Sequence, residues 1–194
     1  MKAIFIRMLN LVRSSQKEWS CIAVDSPSVD LVGRNFFFPF LLVMAIALAL
    51  TCIIELTVAD FDSFSQFLGF VAVRFLVVLS SLFASVYGSA LIMHGLLKIR
   101  FFRVEERAFY KCFSLFVYSS SIMWITFMLS MMIPSLFFLK VAVFLFEFYV
   151  IWCGLTVYYP TMKDNVKGVL MFVDVVLMFI SPMLMVKIME FLMN

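Results

Sequence analysis

Two long apolar runs, separated by only two residues, dominate the pattern of hydrophobic and polar positions. Residues 113–133 contain no Asp, Glu, Lys, Arg or His, and residues 136–159 contain only two charged side chains. Each run is long enough to cross the roughly 30 Å hydrocarbon core of a bilayer as an α-helix. Pro134 and Ser135 between them predict a tight turn, so the two runs predict a membrane hairpin.

Three further apolar segments are long enough to span a bilayer, which brings the predicted number of crossings to five. The five spans are predicted at about residues 36–56, 67–97, 113–133, 136–159 and 169–193. We therefore divide the chain into residues 1–35, which precede the first span, and residues 36–194, which form one transmembrane domain. No soluble domain and no long linker is predicted.

Residues 1–35 have a helical periodicity of their own. In residues 1–12 the apolar side chains share one helical face, and they are Ile4, Phe5, Met8, Leu9 and Val12. This pattern predicts an amphipathic helix that lies in the membrane interface on the cytoplasmic side. A second short helix is predicted at residues 15–24, with Trp19 at the level of the lipid headgroups.

Composition excludes a soluble protein. Hydrophobic residues make up 65% of the chain and charged residues 14%, and the mean hydropathy is +1.11, whereas soluble domains are roughly half apolar and a quarter charged. The predicted fold class is therefore an all-α integral membrane protein, a bundle of five transmembrane helices preceded by an interfacial amphipathic helix. The four cysteines form no CxxC pair, so we expect buried, inert thiols and neither a metal site nor a disulfide framework.

The charges between the predicted spans are asymmetric. Basic residues lie before the first span, between the second and third, and between the fourth and fifth, whereas the loop at 57–66 carries Asp60 and Asp62 and no base. The positive-inside rule therefore predicts a cytoplasmic N-terminus and an external C-terminus, in the cytoplasmic (inner) membrane if the protein is bacterial. The mildly basic loop at 98–111 predicts contact with anionic lipid headgroups and not with nucleic acid.

Three ionisable side chains fall inside the predicted spans: Arg74 in the second, Glu147 in the fourth and Asp174 in the fifth. A charge at such depth costs at least about 2.5 to 3.5 kcal/mol, so pairing or protonation is expected. One interpretation is a substrate or proton pathway, and the other is a structural ion pair or hydrogen-bonded acid that fixes helix register. We expect an acid to hold Arg74, with Glu147 the first candidate and Glu55 or Asp174 next.

Tyr118 and His94 complete this candidate intramembrane polar site. Tyr118 precedes three serines in the third span, and the simplest role of those serines is packing and hydrogen bonding across helices. His94 is the only histidine and lies near the cytoplasmic end of the second span, where an interfacial hydrogen bond is expected. We predict no catalytic, metal-binding or cofactor-binding residue, and no cofactor.

Short motifs are spread along almost the whole chain. They are Ser15-Gln16-Lys17-Glu18-Trp19 with Pro27, Phe-Phe-Pro-Phe at 37–40, Tyr118-Ser119-Ser120, Ile133-Pro134, and Tyr149 followed by Trp152, Cys153 and Gly154. Together they resemble the Ypt-interacting protein (Yip) domain family in its bacterial branch. The resemblance implies five membrane helices and a cytoplasmic N-terminus. Eukaryotic members of that family associate with small GTPases and with one another in vesicle traffic.

The sequence thus predicts a non-enzymatic multi-pass membrane protein of Yip type that acts in membrane organisation. Its expected partners are the lipid bilayer and either another membrane protein or a second copy of the chain. The alternative is a transporter or channel component for a small solute, a proton or a lipid that uses Arg74, Glu147 and Asp174. Geometry separates the two hypotheses: a water-accessible cavity lined by these side chains favours transport, and pairing in a dry core favours the contact role.

Overall fold

The structure, a computed structural model, describes residues 2–56, 64–99 and 108–193, and this part of the chain is helical without any strand. Seven α-helices follow one another along it: α1 Lys2–Asp25, α2 Val29–Val32, α3 Phe38–Leu56, α4 Phe64–Leu97, α5 Phe109–Met132, α6 Phe138–Tyr158 and α7 Asp164–Met193. A π-helical turn at Gly33–Phe37 joins α2 to α3, and a 3₁₀ turn at Pro134–Phe137 leads into α6.

Four helical stretches within the described residues are long and apolar enough to cross a membrane. They are Val29–Ile54, Phe64–Leu97, Phe109–Ser130 and Phe138–Tyr158. The predicted class, an all-helical membrane protein, is confirmed at this level. The break at Pro134 is also confirmed, because α5 ends at Met132 and proline occupies the first position of the short turn that follows. α7 is a further helix of 30 residues.

α5 is the central helix of the bundle. In the most apolar 18-residue stretch of α5, 78% of the residues are buried. The corresponding share is 33% in α6 and 11% in α4. α5 packs against α3, α4 and α6, while α7 packs mainly against α4 and α6. α4 and α6 therefore separate the central helix from much of the surroundings, and large apolar side chains cover their outer faces.

The three consecutive serines that follow Tyr118 bond within α5. The hydroxyls of Ser119 and Ser120 donate to the carbonyls of Leu115 and Phe116, and that of Ser121 donates to the Tyr118 carbonyl at 2.7 Å. The prediction that these serines bond across helices is wrong. A helix interior offers a carbonyl three or four residues back, and this local acceptor satisfies each hydroxyl without help from a neighbouring helix.

α1 is not a straight helix but a hairpin of two helical halves. Ser14 has a non-helical backbone (φ −151°, ψ 58°), and the halves at residues 2–13 and 15–25 lie side by side. Arg7 Nε is 3.2 Å from Glu18 Oε1, and Arg7 Nη2 is 2.6 Å from Asp25 Oδ2. In a straight helix Arg7 and Asp25 would be about 27 Å apart. We call residues 2–25 the N-terminal hairpin.

The N-terminal hairpin buries one stripe of side chains against α5 and α6. The stripe consists of Ile4, Met8, Leu11, Ser15, Trp19 and Ile22. The five apolar residues predicted to share one membrane-facing surface are thereby divided, since Ile4 and Met8 are buried while Phe5, Leu9 and Val12 remain exposed. The hairpin therefore has two apolar surfaces. One packs against α5 and α6, and the other is exposed on the outside of the protein.

Trp19 is fully buried, so the prediction that it lies among lipid headgroups is wrong. Its indole Nε1 donates a 2.9 Å hydrogen bond to the carbonyl of Val150, and its ring makes edge contacts with Tyr118 and Tyr158. Gly154 makes room for it: a methyl group at position 154 would lie 2.5 Å from Leu115 Cδ2 and 2.9 Å from Trp19 Cε2. A carbonyl acceptor and a slot without a side chain together hold the indole inside the bundle.

The four cysteines do not share one environment. Cys52, Cys112 and Cys153 are buried thiols, as predicted, but Cys21 is exposed. The prediction of four buried thiols is wrong at Cys21 because the stripe that the hairpin buries includes Trp19 and Ile22, its neighbours in the sequence, while Cys21 itself points outward.

The first prediction concerns the slot at Gly154. Replacing Gly154 by alanine should lower the free energy of unfolding by about 1–3 kcal/mol, because Trp19 or Leu115 must move to admit the new methyl group. Gly168→Ala is the matched control, since that helical glycine has no heavy atom within 4 Å of the added group. Thermal unfolding in detergent should show a lower Tm for the first variant and an unchanged or higher Tm for the second. Equal Tm values would contradict a tight slot.

Candidate functional site

Glu147 and Asp174 form an acid pair in the core between α6 and α7. Both side chains are fully buried, and the two helices pack against each other. Glu147 lies eleven residues before the end of α6 and Asp174 ten residues after the start of α7, so the two lie about 16 and 15 Å from the same end of the bundle. Asp174 is close enough to act electrostatically on Glu147.

None of the four oxygens of this acid pair meets hydrogen-bond geometry with a partner among the described residues, and the backbone of Met123 on α5 is the polar neighbour of Glu147. An ionised carboxylate without a partner in an apolar interior would cost several kcal/mol, and two of them would also repel each other. The neutral, protonated acid avoids both costs. We therefore expect both carboxyl groups to be protonated.

Arg74 does not pair with either acid, so the predicted Arg74–Glu147 and Arg74–Asp174 pairs are wrong. Its side chain is half-buried on α4, with the guanidinium carbon 5.4 Å from the centre of the Phe70 ring. α4 packs chiefly on α7 and α5, whereas Glu147 lies on α6. The side chain of Glu55, the remaining predicted partner, lies outside the described residues.

Tyr118 lies in an aromatic cluster under the N-terminal hairpin. Its ring centre is 4.3 Å from that of Phe36, and Trp19 meets it edge-on at 6.0 Å. Its buried hydroxyl lies within electrostatic reach of the Arg7 guanidinium, and the buried hydroxyls of Tyr158 and Ser114 face each other. Tyr118 is thus a packing residue that joins the hairpin to α5, with its hydroxyl toward Arg7.

His94 lies elsewhere again, at the junction of α4 and α5. Its imidazole is partly buried and meets the ring of Phe109 edge-on at 5.9 Å. Its Nδ1 atom has no hydrogen-bond partner in the part of the chain that the structure describes. Of the five residues proposed as one intramembrane polar site, the structure shows Glu147 and Asp174 as a pair, and it gives Arg74 and His94 other surroundings.

The ion pairs of Arg7 are a feature that sequence reasoning missed. The guanidinium of Arg7 contacts the carboxylates of Glu18 and Asp25, two acids spaced seven residues apart on one helical face. Burial lowers the pKa of Arg7, but the hydrogen bond to Asp25, the interaction with the Tyr118 hydroxyl and the charge of Glu18 together more than offset this, so its pKa is raised. The i, i+7 spacing of the two acids was the available signal, but nothing local shows that residue 7 folds back onto them.

The predicted basic loop is only partly described. Residues 100–107 lie outside the described residues, and Lys111 belongs to α5 and is buried. Its Nζ atom is 3.5 Å from the carbonyl oxygen of Tyr158 and 5.5 Å from the centre of the Tyr159 ring. Lys111 therefore caps the last turn of α6, where a cation is favourable.

Comparison of the chain with protein families, characterised proteins and solved structures found no match.

The second prediction concerns the protonation of the acid pair. Glu147→Gln and Asp174→Asn should each change the free energy of unfolding by no more than about 1 kcal/mol near neutral pH, because a neutral amide has nearly the shape of a protonated carboxyl group. Glu147→Lys should abolish folding or lower the free energy of unfolding by several kcal/mol, because it forces a cation into the same site. Thermal unfolding in detergent measures both effects. An amide variant as damaged as the lysine variant would mean that the acids work in their ionised form.

Proposed function

We propose that the chain is a non-enzymatic, multi-pass membrane protein of Yip type that acts in membrane organisation through contacts with proteins or lipids. The observation that carries this proposal is the closed core around Glu147 and Asp174, both of which are fully buried. A transport pathway needs a polar route from water to such groups, and a contact protein does not.

The outer surface supports the same proposal. Large apolar side chains are at least half exposed at Leu42 and Ile53 on α3, Leu68 and Leu76 on α4, and Leu145 on α6. In a bilayer such positions meet acyl chains or the helices of a partner. These exposed apolar surfaces are available for such contacts.

The proposed topology has five crossings and a cytoplasmic N-terminus. α7 would be the fifth span, since its 30 residues extend over about 45 Å, more than the hydrocarbon thickness. The N-terminal hairpin would then lie at the cytoplasmic interface, with Phe5, Leu9 and Val12 toward the acyl chains and Lys17 toward the headgroups.

A second candidate function is proton-linked transport. The observation in its favour is that Glu147 and Asp174 are neighbours and have no hydrogen-bond partner among the described residues. Intramembrane carboxyl groups of this kind serve as proton relays in pumps and transporters. Arg74 would act separately in such a mechanism, since it does not contact the pair.

The third prediction separates these two functions. The protein is reconstituted into sealed vesicles with a pH-sensitive dye inside, and an outward proton gradient is imposed. The contact role predicts that wild type and the Glu147→Gln, Asp174→Asn double variant lose the gradient at the same rate. Faster loss with wild type that disappears in the double variant would reject the proposal in favour of proton transport.

The fourth prediction tests the proposed topology with a native residue. Cys21 is the exposed thiol of the hairpin and the other three cysteines are buried. A membrane-impermeant maleimide should therefore leave Cys21 unlabelled in intact cells and label it after permeabilisation. In a Cys21→Ser background, Asp60→Cys should show the opposite pattern, reacting in intact cells. Labelling of Cys21 but not of position 60 from outside would invert the topology.

A further inference from the structure

Three basic side chains lie at nearly the same level of the bundle, toward the end where α4 and α6 begin. They are Arg74 on α4, Lys140 on α6 and Lys187 on α7. In the proposed topology this end is the external one. We call these three residues the external basic belt, and their common level follows from ring contacts that align neighbouring helices.

The ring contact of Tyr87 with Phe113 aligns α4 with α5. The two ring centres are 4.6 Å apart, and the helices run in opposite directions. Arg74 lies 13 residues before Tyr87, which is about 20 Å along α4. Phe127 lies 14 residues after Phe113, which is about 21 Å along α5. Arg74 is therefore level with Phe127, and the Nζ atom of Lys140 lies 4.7 Å from the centre of the Phe127 ring.

A ring contact between α6 and α7 places Lys187 near the same level. The ring centres of Phe144 and Phe179 are 4.8 Å apart. Lys140 lies four residues from Phe144, about 6 Å toward the external end. Lys187 lies eight residues from Phe179, about 12 Å in the same direction. A helical side chain leans toward the start of its helix, which is outward at Lys140 and inward at Lys187, so the two ammonium groups approach one level.

The guanidinium group of Arg74 extends outward from its own backbone. Its carbon lies 5.4 Å from the centre of the Phe70 ring, one turn nearer the start of α4. Lys140 rests on the ring of Phe127 in a similar way. Such contacts keep the stem of a long basic side chain against apolar surface while its charged end reaches the headgroup layer.

The distance from the external basic belt to the other end of the bundle corresponds to one bilayer. Lys167 and Lys187 are 20 residues apart on α7, about 30 Å, which is the thickness of the hydrocarbon core. Arg74 is 24 residues, about 36 Å, from Lys98, which directly follows α4. On both helices the basic side chains therefore bracket a stretch that is long enough to cross the membrane.

We propose that the external basic belt lies at the headgroups of the external leaflet, where its partner is the layer of lipid phosphates. Arg74 is then an interfacial anchor of α4 and does not belong to a site inside the membrane. Glu147 and Asp174 keep their position near the middle of the bundle. This inference rests on the topology given with the proposed function, because that topology decides which end of the bundle is external.

The fifth prediction tests the depth of the external basic belt on α4. In a Cys21→Ser background a nitroxide label is attached to Val73→Cys, next to Arg74, or to the matched control Phe83→Cys. The two native side chains are 44% and 42% exposed, and Phe83 lies ten residues deeper. The protein is reconstituted into vesicles of phosphatidylcholine and phosphatidylglycerol, and collision rates with oxygen and with a water-soluble nickel chelate give the depth of each label. The label at position 73 should lie near the phosphates, about 15 Å shallower than the label at position 83.

Equal depths at positions 73 and 83 would overturn the proposal, because they would place Arg74 within the hydrocarbon. The same measurement on α6 tests the common level. Val141 lies next to Lys140 and Leu145 four residues deeper, with side chains 59% and 64% exposed. A label on Val141→Cys should lie about 6 Å shallower than one on Leu145→Cys and within about one helical turn of the depth found at position 73. A label at position 141 as deep as the one at position 83 would also overturn the proposal.

Failure of this inference can be told from failure of the proposed topology. Collision rates report the depth of a label and not its side of the membrane. An inverted topology would therefore leave both depth differences unchanged while it reversed the maleimide labelling of Cys21 and position 60. A deep label at position 73 or 141, with the labelling of Cys21 as predicted, would reject the external basic belt alone.

Discussion

The docking of Trp19 against Gly154 is the contact on which the arrangement of the N-terminal hairpin depends. An indole needs a large apolar space and one hydrogen-bond acceptor. The bundle provides the space because residue 154 has no side chain, and it provides the acceptor at the Val150 carbonyl. The hairpin packs against α6, in whose second half Ile151 and Leu155 are buried, and α6 is exposed mainly in its first half. The Arg7 ion pairs then close the hairpin on itself.

The docking of Trp19 also determines which groups the hairpin and α6 expose on the surface of the protein. The bend of the hairpin is brought beside Tyr149, which creates a polar groove next to an apolar helix face. The outer side of the hairpin keeps Phe5, Leu9 and Val12 exposed. A segment that an amphipathic pattern would assign to the bilayer alone is thus both a part of the protein core and a part of its membrane-facing surface.

The acid pair imposes a different constraint on the core. Two carboxyl groups on neighbouring helices can be buried without partners only if they stay neutral, and this condition constrains how α6 and α7 pack. A core that admitted water would let the acids ionise. The closed packing therefore favours a protein that acts through its surface, while the same pair would be the starting point for proton transfer if a water path formed.

Local pattern was enough to predict the helices of this chain. The Pro134 break and the apolar runs that became α3 to α6 follow from hydropathy and from residues that cannot continue a helix. Contacts between distant residues were not predictable in the same way. Nothing near Trp19 shows that Gly154 will face it, and the choice of Glu147 as a partner for Arg74 failed because matching depth does not determine which helices are neighbours.

The bend at Ser14 was also not predictable from the sequence. Serine tolerates helical and extended backbone alike, so the run Ser14-Ser15 looks like an ordinary helix boundary between two short amphipathic segments. Its role as the bend of a hairpin becomes visible only through Arg7, whose two acidic partners lie beyond the bend. For the two core acids the sequence predicted either protonation or pairing with Arg74. The structure shows no pairing with Arg74, and protonation stays a prediction.

Hydrogen–deuterium exchange of the hairpin amides tests the central claim, that the N-terminal hairpin is a docked part of the folded core, most directly. In the purified protein, amides of residues 15–25 should exchange as slowly as those in the buried first half of α5, and Gly154→Ala should speed exchange in residues 15–25 more than in α5. Exchange of residues 15–25 at the rate of an unfolded peptide in wild type would contradict the claim.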